Sequence, residues 1–489
     1  MNRPTLLLAA LALCAIVTSP LAAERYVVVF EQENLKAREA QQIIDNHGAT
    51  MVRNHADIGV AVVEADDSAF ASKVQSDGKI VGAYRDVQHA TAAGSEPIPA
   101  TLPADLASAR GAQASLSDLI TSPPPLTPST VTVDQLLNTF FFAIQWDLQL
   151  IEVEGVWTEF GNLGDEDVEI AVLASGLDYT HPDLQGRVDL DRSRNFVPED
   201  AAQVQALFPG AHPIADLGFQ GTWTASLMVC NALVFSCPVP HSTLIGVKWL
   251  DSQERGRVGD LVTSIRYAAS IGSDVIVIPE NLAEPLRWSD RDDRPAIIAL
   301  KRAIFYAWLR GSAVLTGAGG TLLECGIDAD ADGDNIIAPA QLGATAVAAT
   351  GINDQYGNFT DFGRSLVDIA APGGGVLADT CLPDPDPNLY NVALGACTSF
   401  SQWVSPLGVD FSTLCNFETG PTWIFALGAD QALAHAGSVA ALIDSKWNGW
   451  LPGWLVNWQM TRTADDVIDP GFDVFSGRGR VNAYRAVTE

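Results

Sequence analysis

Residues Ile170–Leu184 read IAVLASGLDYTHPDL, and the reading of this stretch decides the fold. The apolar run Val168–Leu173 predicts a buried strand, which gives way to small residues and then to an Asp-, Thr- and Pro-containing turn. Working outward, short apolar runs of the same kind recur at Ile245–Leu250, Asp274–Ile278, Ala313–Leu315 and Thr345–Ala349. Longer helix-like segments separate them. Strands spaced in this way predict an α/β fold of three layers, a mostly parallel sheet covered by helices on both faces. This unit is read as residues 136–489.

Upstream the pattern changes. Arg25–Phe30, Gly59–Glu64 and Ile80–Arg85 read as strands, and Asn34–His47 and Ser68–Ser76 as helices, giving a small α+β unit over residues 24–92. Residues 93–135 are rich in Pro, Ser and Ala, including the run Pro123–Pro125, and read as a linker that buries little surface. At the start, Asn2 and Arg3 precede the apolar run Leu6–Val17 and the small residues Ser19–Ala23. That is the form of an export signal over residues 1–23, with cleavage expected near Ala22 or Ala23 and secretion as its consequence. No later apolar stretch is long enough to span a bilayer.

The chain has 489 residues, 47% of them hydrophobic and 18% charged, which predicts a substantial core and excludes a disordered chain. Lys and Arg number 28 against 59 Asp and Glu, a formal net charge of -31, so nucleic acid would be repelled. A monomer is expected. Of the 7 cysteines, Cys14 departs with the signal. Cys230, Cys237, Cys325, Cys381, Cys397 and Cys415 form an even set suited to an oxidising compartment. Cys230 and Cys237 can close a small loop; the connectivity of the others stays open.

The strand-end segments resemble the subtilase family in six blocks. Ile170–Leu184 resembles the block in which a strand ends at the catalytic Asp, and Gly218–Ser226 (GFQGTWTAS) the His block. Val314–Gly320 (VLTGAGG) is similar to the block that carries the oxyanion Asn, and Ala338–Gly373 to the stretch that follows it. Gly428–Leu442 (GADQALAHAGSVAAL) resembles the nucleophile block and Gly477–Val487 (GRGRVNAYRAV) the closing signature. Tyr26–Tyr84 is similar to the family's inhibitory prodomain. The resemblance implies a subtilisin-like fold and peptide substrates, yet it departs where the chemistry should sit. In register, the Asp position is Ala174, the His position Gln220, the Ser position Asp430 and the oxyanion Asn position Gly320. The substrate-lining Ser-Leu-Gly becomes Pro279-Glu280-Asn281.

A serine hydroxyl attacks a carbonyl only when a neighbouring base takes its proton and a third group orients that base. Ala174 orients nothing, Gln220 has no titrating nitrogen, and Asp430 has no hydroxyl. One oxyanion donor is worth about 10²–10³ in turnover, and Gly320 supplies no such side chain. The expectation is a noncatalytic subtilase that binds a peptide or protein, or serves a structural role. Two alternatives stand beside it: an endopeptidase using residues not identified, and an acid-type hydrolase in which Gln220 and Asp430 position a water. Ordinary readings exist for each residue. Ala174 packs, Gln220 hydrogen-bonds, and Asp430 caps a helix over Gln431–Ser445. Ser175, Asp178, His181, His435 and Ser438 are read as structural.

Two further sites follow. Asp328, Asp330, Asp332 and Asp334 alternate in DADADGDN, a pattern that suits calcium, although Pro339 in the twelfth position excludes an EF-hand. Peptides bind relatives as an added strand, and Gly256–Asp260 with the stretch after Ile278 matches the edges that receive it. Glu280 and Asn281 add charge and bulk there, and the long region Leu377–Ala426 reads as a surface excursion held by disulfides.

Overall fold

The computed structural model describes residues 23–91, 95–98, 116–123, 125–127, 130–320, 325–375, 392–405, 408–415 and 422–489. The export signal therefore lies outside the described residues, except for Ala23. In chain order the N-terminal unit holds β1 (Glu24–Phe30), α1 (Ala37–Asn46), β2 (Thr50–His55), β3 (Val60–Ala65), α2 (Phe70–Val74) and β4 (Ile80–Arg85). Next come β5 (Gln88–Ala90), β6 (Ser95–Ile98), α3 (Leu116–Thr121), α4 (Val133–Leu137), α5 (Trp146–Leu150) and α6 (Val153–Phe160). The alternating part begins with β7 (Glu169–Ala174), β8 (Arg194–Asn195), α7 (Pro198–Leu207), α8 (Gln220–Met228), β9 (Thr243–Lys248), β10 (Arg255–Arg257) and α9 (Val258–Ser270). It continues through β11 (Val275–Ile278), β12 (Leu286–Arg287), α10 (Arg294–Arg310), β13 (Ala313–Gly317), β14 (Asn335–Ile336), β15 (Thr345–Thr350) and β16 (Ile369–Pro372). The chain closes with β17 (Ala393–Cys397), α11 (Phe411–Leu414), β18 (Thr422–Gly428), α12 (Ala429–Lys446), α13 (Gly453–Arg462) and α14 (Ala483–Thr488).

Seven strands form one sheet in the order β16-β15-β13-β11-β7-β9-β8, every neighbouring pair parallel. Burial on both faces explains the unbroken apolar runs, such as Val-Ile-Val-Ile in β11. On one face, α12, buried from Ala429 to Ser445, packs with α8; α9 and α10 cover the other. The N-terminal sheet, order β2-β3-β1-β4, is antiparallel. It packs one face on α1 and α2, while Val27, Val29, Val60 and Tyr84 of the other face join α9 and α10. Polar contacts fix that docking. Arg25 pairs with Asp86 at 2.9 Å and Asp260 at 2.6 Å, and the Gly259 N–H donates to Asp86.

Disulfides join Cys230 to Cys237 and Cys397 to Cys415. Cys325 is also disulfide-bonded. Among the described residues no helix is long and apolar enough to cross a membrane.

Candidate peptide-binding cleft

In open parallel sheets the crevice at the carboxyl ends of the strands is where ligands bind. Here β7 ends at Ala174 and β13 runs toward Gly320, while α8 begins at Gln220 and α12 carries Asp430 in its first turn. Ala174, Gln220 and Asp430 are all buried. Ala174 pairs across to Lys248 at the end of β9, and its carbonyl accepts from the Trp249 N–H. Asp430 is the second residue of α12, two positions past the capping residue Gly428. The expected N-cap role is thereby corrected, because the chain leaves β18 directly into α12 and Gly428 occupies the half-in position.

Gly320 has φ +98°, and a Cβ built on it would overlap the Phe359 carbonyl oxygen. Its backbone bridges Thr360. No side chain, asparagine included, fits there while the 359–361 segment stays where it is. Asn281 fills the space beside it. Its Nδ2 donates to the Gly317 carbonyl at 2.7 Å, and its Oδ1 accepts from the Ala340 N–H at 3.2 Å. The bulk expected at Asn281 thus braces two walls of the cleft. Glu280 is buried next to it.

Beneath Gln220 lies a buried charged cluster that the sequence reading did not single out. Glu254 accepts the N–H groups of Phe219 at 2.8 Å and Gln220 at 3.3 Å, so a carboxyl from a distant loop serves the N-terminus of α8. Its own backbone is left-handed, φ 55°, and Gly218 is needed because a Cβ there would strike the Glu254 carboxyl. Burial first, and the nearby Asp216 second, push the Glu254 carboxyl up to about 8. The Ser175 hydroxyl serves both acids. Asp216 is raised by burial, opposed by Lys248, and accepts the N–H and hydroxyl of Thr222. Lys248, fully buried, pairs with Asp200 at 2.6 Å and donates to the Ala215 carbonyl at 2.9 Å. Two acids, Asp200 and Asp216, thus share one ammonium, and Glu254 adjoins Asp216. A sequence signal existed only in retrospect: an acid at Glu254 beside glycine and arginine reads as surface.

The residues taken as structural have structural partners. Asp178 accepts from Thr180 and Ser399, and His435 pairs with Asp147 at 3.0 Å. His181 packs edge-on against Trp423, and Ser438 donates to the Ala434 carbonyl. The acidic loop is held by local contacts. Asp330 turns to the Arg364 and Ser365 N–H groups, Asp332 to Arg287, and Asp334 to Ser289, while Asp328 accepts from the Asp330 N–H. Among the described residues no three His, Cys, Asp or Glu side chains converge to hold a metal. Local amides and neighbouring side chains thus hold each of these carboxylates.

The cleft edges hold the chain itself. Gln88–Ala90 pairs antiparallel with Arg255–Arg257, setting His89 opposite Gly256. On the other side Thr91 bridges Leu282, and the Ala283 N–H donates to the Ala90 carbonyl at 3.1 Å. Four positions after Thr91, β6 pairs with β18, Ser95 opposite Gly428, two positions before Asp430. The stretch read as a linker therefore opens with a strand. Pro97 is tolerated because β6 is the edge of its three-stranded sheet.

A parallel sheet with a crevice at its carboxyl edge, a docked α+β unit and a strand led into that crevice define a subtilisin-like architecture. Residues 165–479 match the subtilase family, and the chain belongs to it. It is 26% identical to thermitase of Thermoactinomyces vulgaris over 353 residues, 72% of this chain and 98% of thermitase. A thermophilic serine proteinase of Bacillus sp. (strain AK1) is 25% identical over 72% of this chain and 69% of its own length. The crystal structure of the epidermin leader peptide processing serine protease of Staphylococcus aureus superposes with a TM-score of 0.69. That likeness covers 95% of this chain and 98% of that one at 17% identity, so it bears on the fold.

Proposed function

We propose that this chain is an exported, noncatalytic subtilase that binds peptide strands and keeps its own residues 88–91 and 95–98 along the cleft. The observation that carries the reading is the pairing of those residues with β10 and Leu282 before the 92–94 stretch and with β18 after it. Backbone pairing of this kind is indifferent to the identity of residues 174, 220 and 430, whereas hydrolysis is not. With Ala174, Gln220 and Asp430 at those positions, a peptide bond presented to the cleft meets no activated hydroxyl. The prosegment then stays covalently attached unless another protease acts in the linker. Such a protein presents a closed cleft to solution, and a competing extended peptide would have to displace the resident strand.

The test is mass spectrometry of the purified secreted chain, with peptide hydrolysis measured from acidic to alkaline pH. An intact chain from about Ala23 onward and no turnover are expected. Cleavage between Thr91 and Ser95 in a single-component preparation would overturn the reading. So would hydrolysis that disappears in Asp430→Asn, the outcome required of an acid-type hydrolase using Gln220 and Asp430.

A further inference from the structure

Four tryptophans stand half or more exposed within one short stretch: Trp447, Trp450, Trp454 and Trp458, with Trp450 at 86%. Burying an indole is among the larger apolar gains a side chain offers, so a cluster left in water marks an interaction surface. Trp454, Trp458 and Arg462 follow one another at intervals of four on α13, and the Arg462 guanidinium lies 4.8 Å over the Trp458 ring. Lys446 lies over Trp447 at 5.8 Å.

A second stripe adjoins it. On α10, Lys301, Phe305 and Leu309 are exposed at the same interval, with Arg310 beside them. The Gly453 N–H at the start of α13 donates to the Gly311 carbonyl at 2.7 Å, so the end of α10 and the beginning of α13 meet. They meet just before β13, at the amino edge of the parallel sheet, opposite the cleft.

The charge of this face reverses that of the molecule. Neither 445–464 nor 294–310 contains an Asp or Glu, in a chain whose net charge is -31. The acids that come near are occupied or lie at the rim. Asp444 is buried and accepts the Leu451 N–H, Glu33 pairs with Arg302, and Asp465 pairs with Arg480 and Arg485. The Asp165–Asp167 turn bounds the patch near Gly449.

We infer that this face docks on an anionic lipid surface. Tryptophan seats at the level of lipid headgroups, and long cationic side chains extend from an apolar base toward phosphate. A second copy is a poorer occupant, because a twofold contact would set Lys301, Arg310, Lys446 and Arg462 against themselves. At physiological ionic strength charges beyond about 8 Å are screened, so the remaining carboxylates do not cancel the local attraction. Docked in this way, the molecule holds its cleft away from the membrane.

The test is flotation of the full secreted chain with vesicles of phosphatidylcholine alone or mixed equally with phosphatidylglycerol. The expected result is about tenfold more protein floating with the anionic vesicles, released by molar salt. Trp450→Ser/Trp454→Ser should lower that fraction by about tenfold with circular dichroism unchanged. Lys301→Glu/Arg310→Glu should remove the preference for phosphatidylglycerol, a readout that stands if the tryptophan variant fails to fold. No flotation with either vesicle overturns the inference. Flotation indifferent to both variants does the same, as does a dimer in light scattering that Trp450→Ser abolishes.

Discussion

The edges of the cleft and its centre have departed differently from the family pattern. The edges at Arg255–Arg257, Leu282 and β18 present backbone groups to an extended strand, and the chain's own residues 88–91 and 95–98 satisfy them. The centre holds Ala174, Gln220 and Asp430, with Gly320 closed by the Phe359 carbonyl. On the function proposed above, strand recognition, which uses amides that every residue carries, survives substitution, whereas proton transfer, which depends on particular side chains, does not. Below both regions, the Lys248 cluster supplies a floor in which the centre's missing polarity reappears at Glu254, Asp216 and Asp200.

The strongest way to break this division is to remove the floor. Lys248→Met leaves Asp200 and Asp216 buried without their cation and should cost about 3–5 kcal/mol in urea unfolding. A loss below 1 kcal/mol would mean that the floor relaxes easily and supports neither region. The next largest effect concerns the centre. Ala174→Asp/Gln220→His/Asp430→Ser restores the reacting groups but not an oxyanion donor, so self-cleavage between Thr91 and Ser95 should run about 10²–10³ below an active relative. Adding Gly320→Asn should destabilise rather than help, because its backbone and the Phe359 carbonyl exclude a side chain. A gain of full activity from that fourth change would show that the 359–361 segment moves.

Asn281→Gly sharpens the boundary between edge and centre. It removes two buried hydrogen bonds, worth about 1 kcal/mol each, and opens the space between Gly317 and Ala340. Equilibrium unfolding should register a loss of about 2 kcal/mol, and binding of a peptide with a large side chain should strengthen. The smallest effect is the pH profile. Glu254 ionises near 4.5 when unfolded and at about 8 when folded. Its folded form holds the proton more tightly, so its contribution is complete below pH 4.5 and is lost as pH rises through 8. The melting midpoint should fall across that window. Glu254→Gln should flatten the fall by a few degrees, on the order of 1–2 kcal/mol, because Asp216 keeps part of it.

The sheet was legible because burial on both faces writes continuous apolar runs, and β4 matches its expected span, Ile80–Arg85. β2 escaped notice because Thr-Met-Val-Arg-Asn-His barely alternates and its ladder slips between Met51 and Arg53. β5 and β6 were illegible for another reason. Neither has an apolar pattern, since their partners supply the pairing. The positions of Ala174, Gln220 and Asp430 at strand and helix ends followed from the motif register. Glu254 did not, because only the tertiary path brings residue 254 beneath residue 220. In the acidic loop, alternation along the chain says nothing of which amides each carboxylate meets.

The lodging of β6 against β18 changes what a cut in the following segment would accomplish. If a foreign protease nicked the chain between residues 98 and 116, the two pieces would remain joined by strand ladders at β5, β6 and the docked N-terminal sheet. The nicked molecule would migrate as one body under native conditions and as two after boiling in detergent. Liberating the cleft would then require unzipping as well as scission.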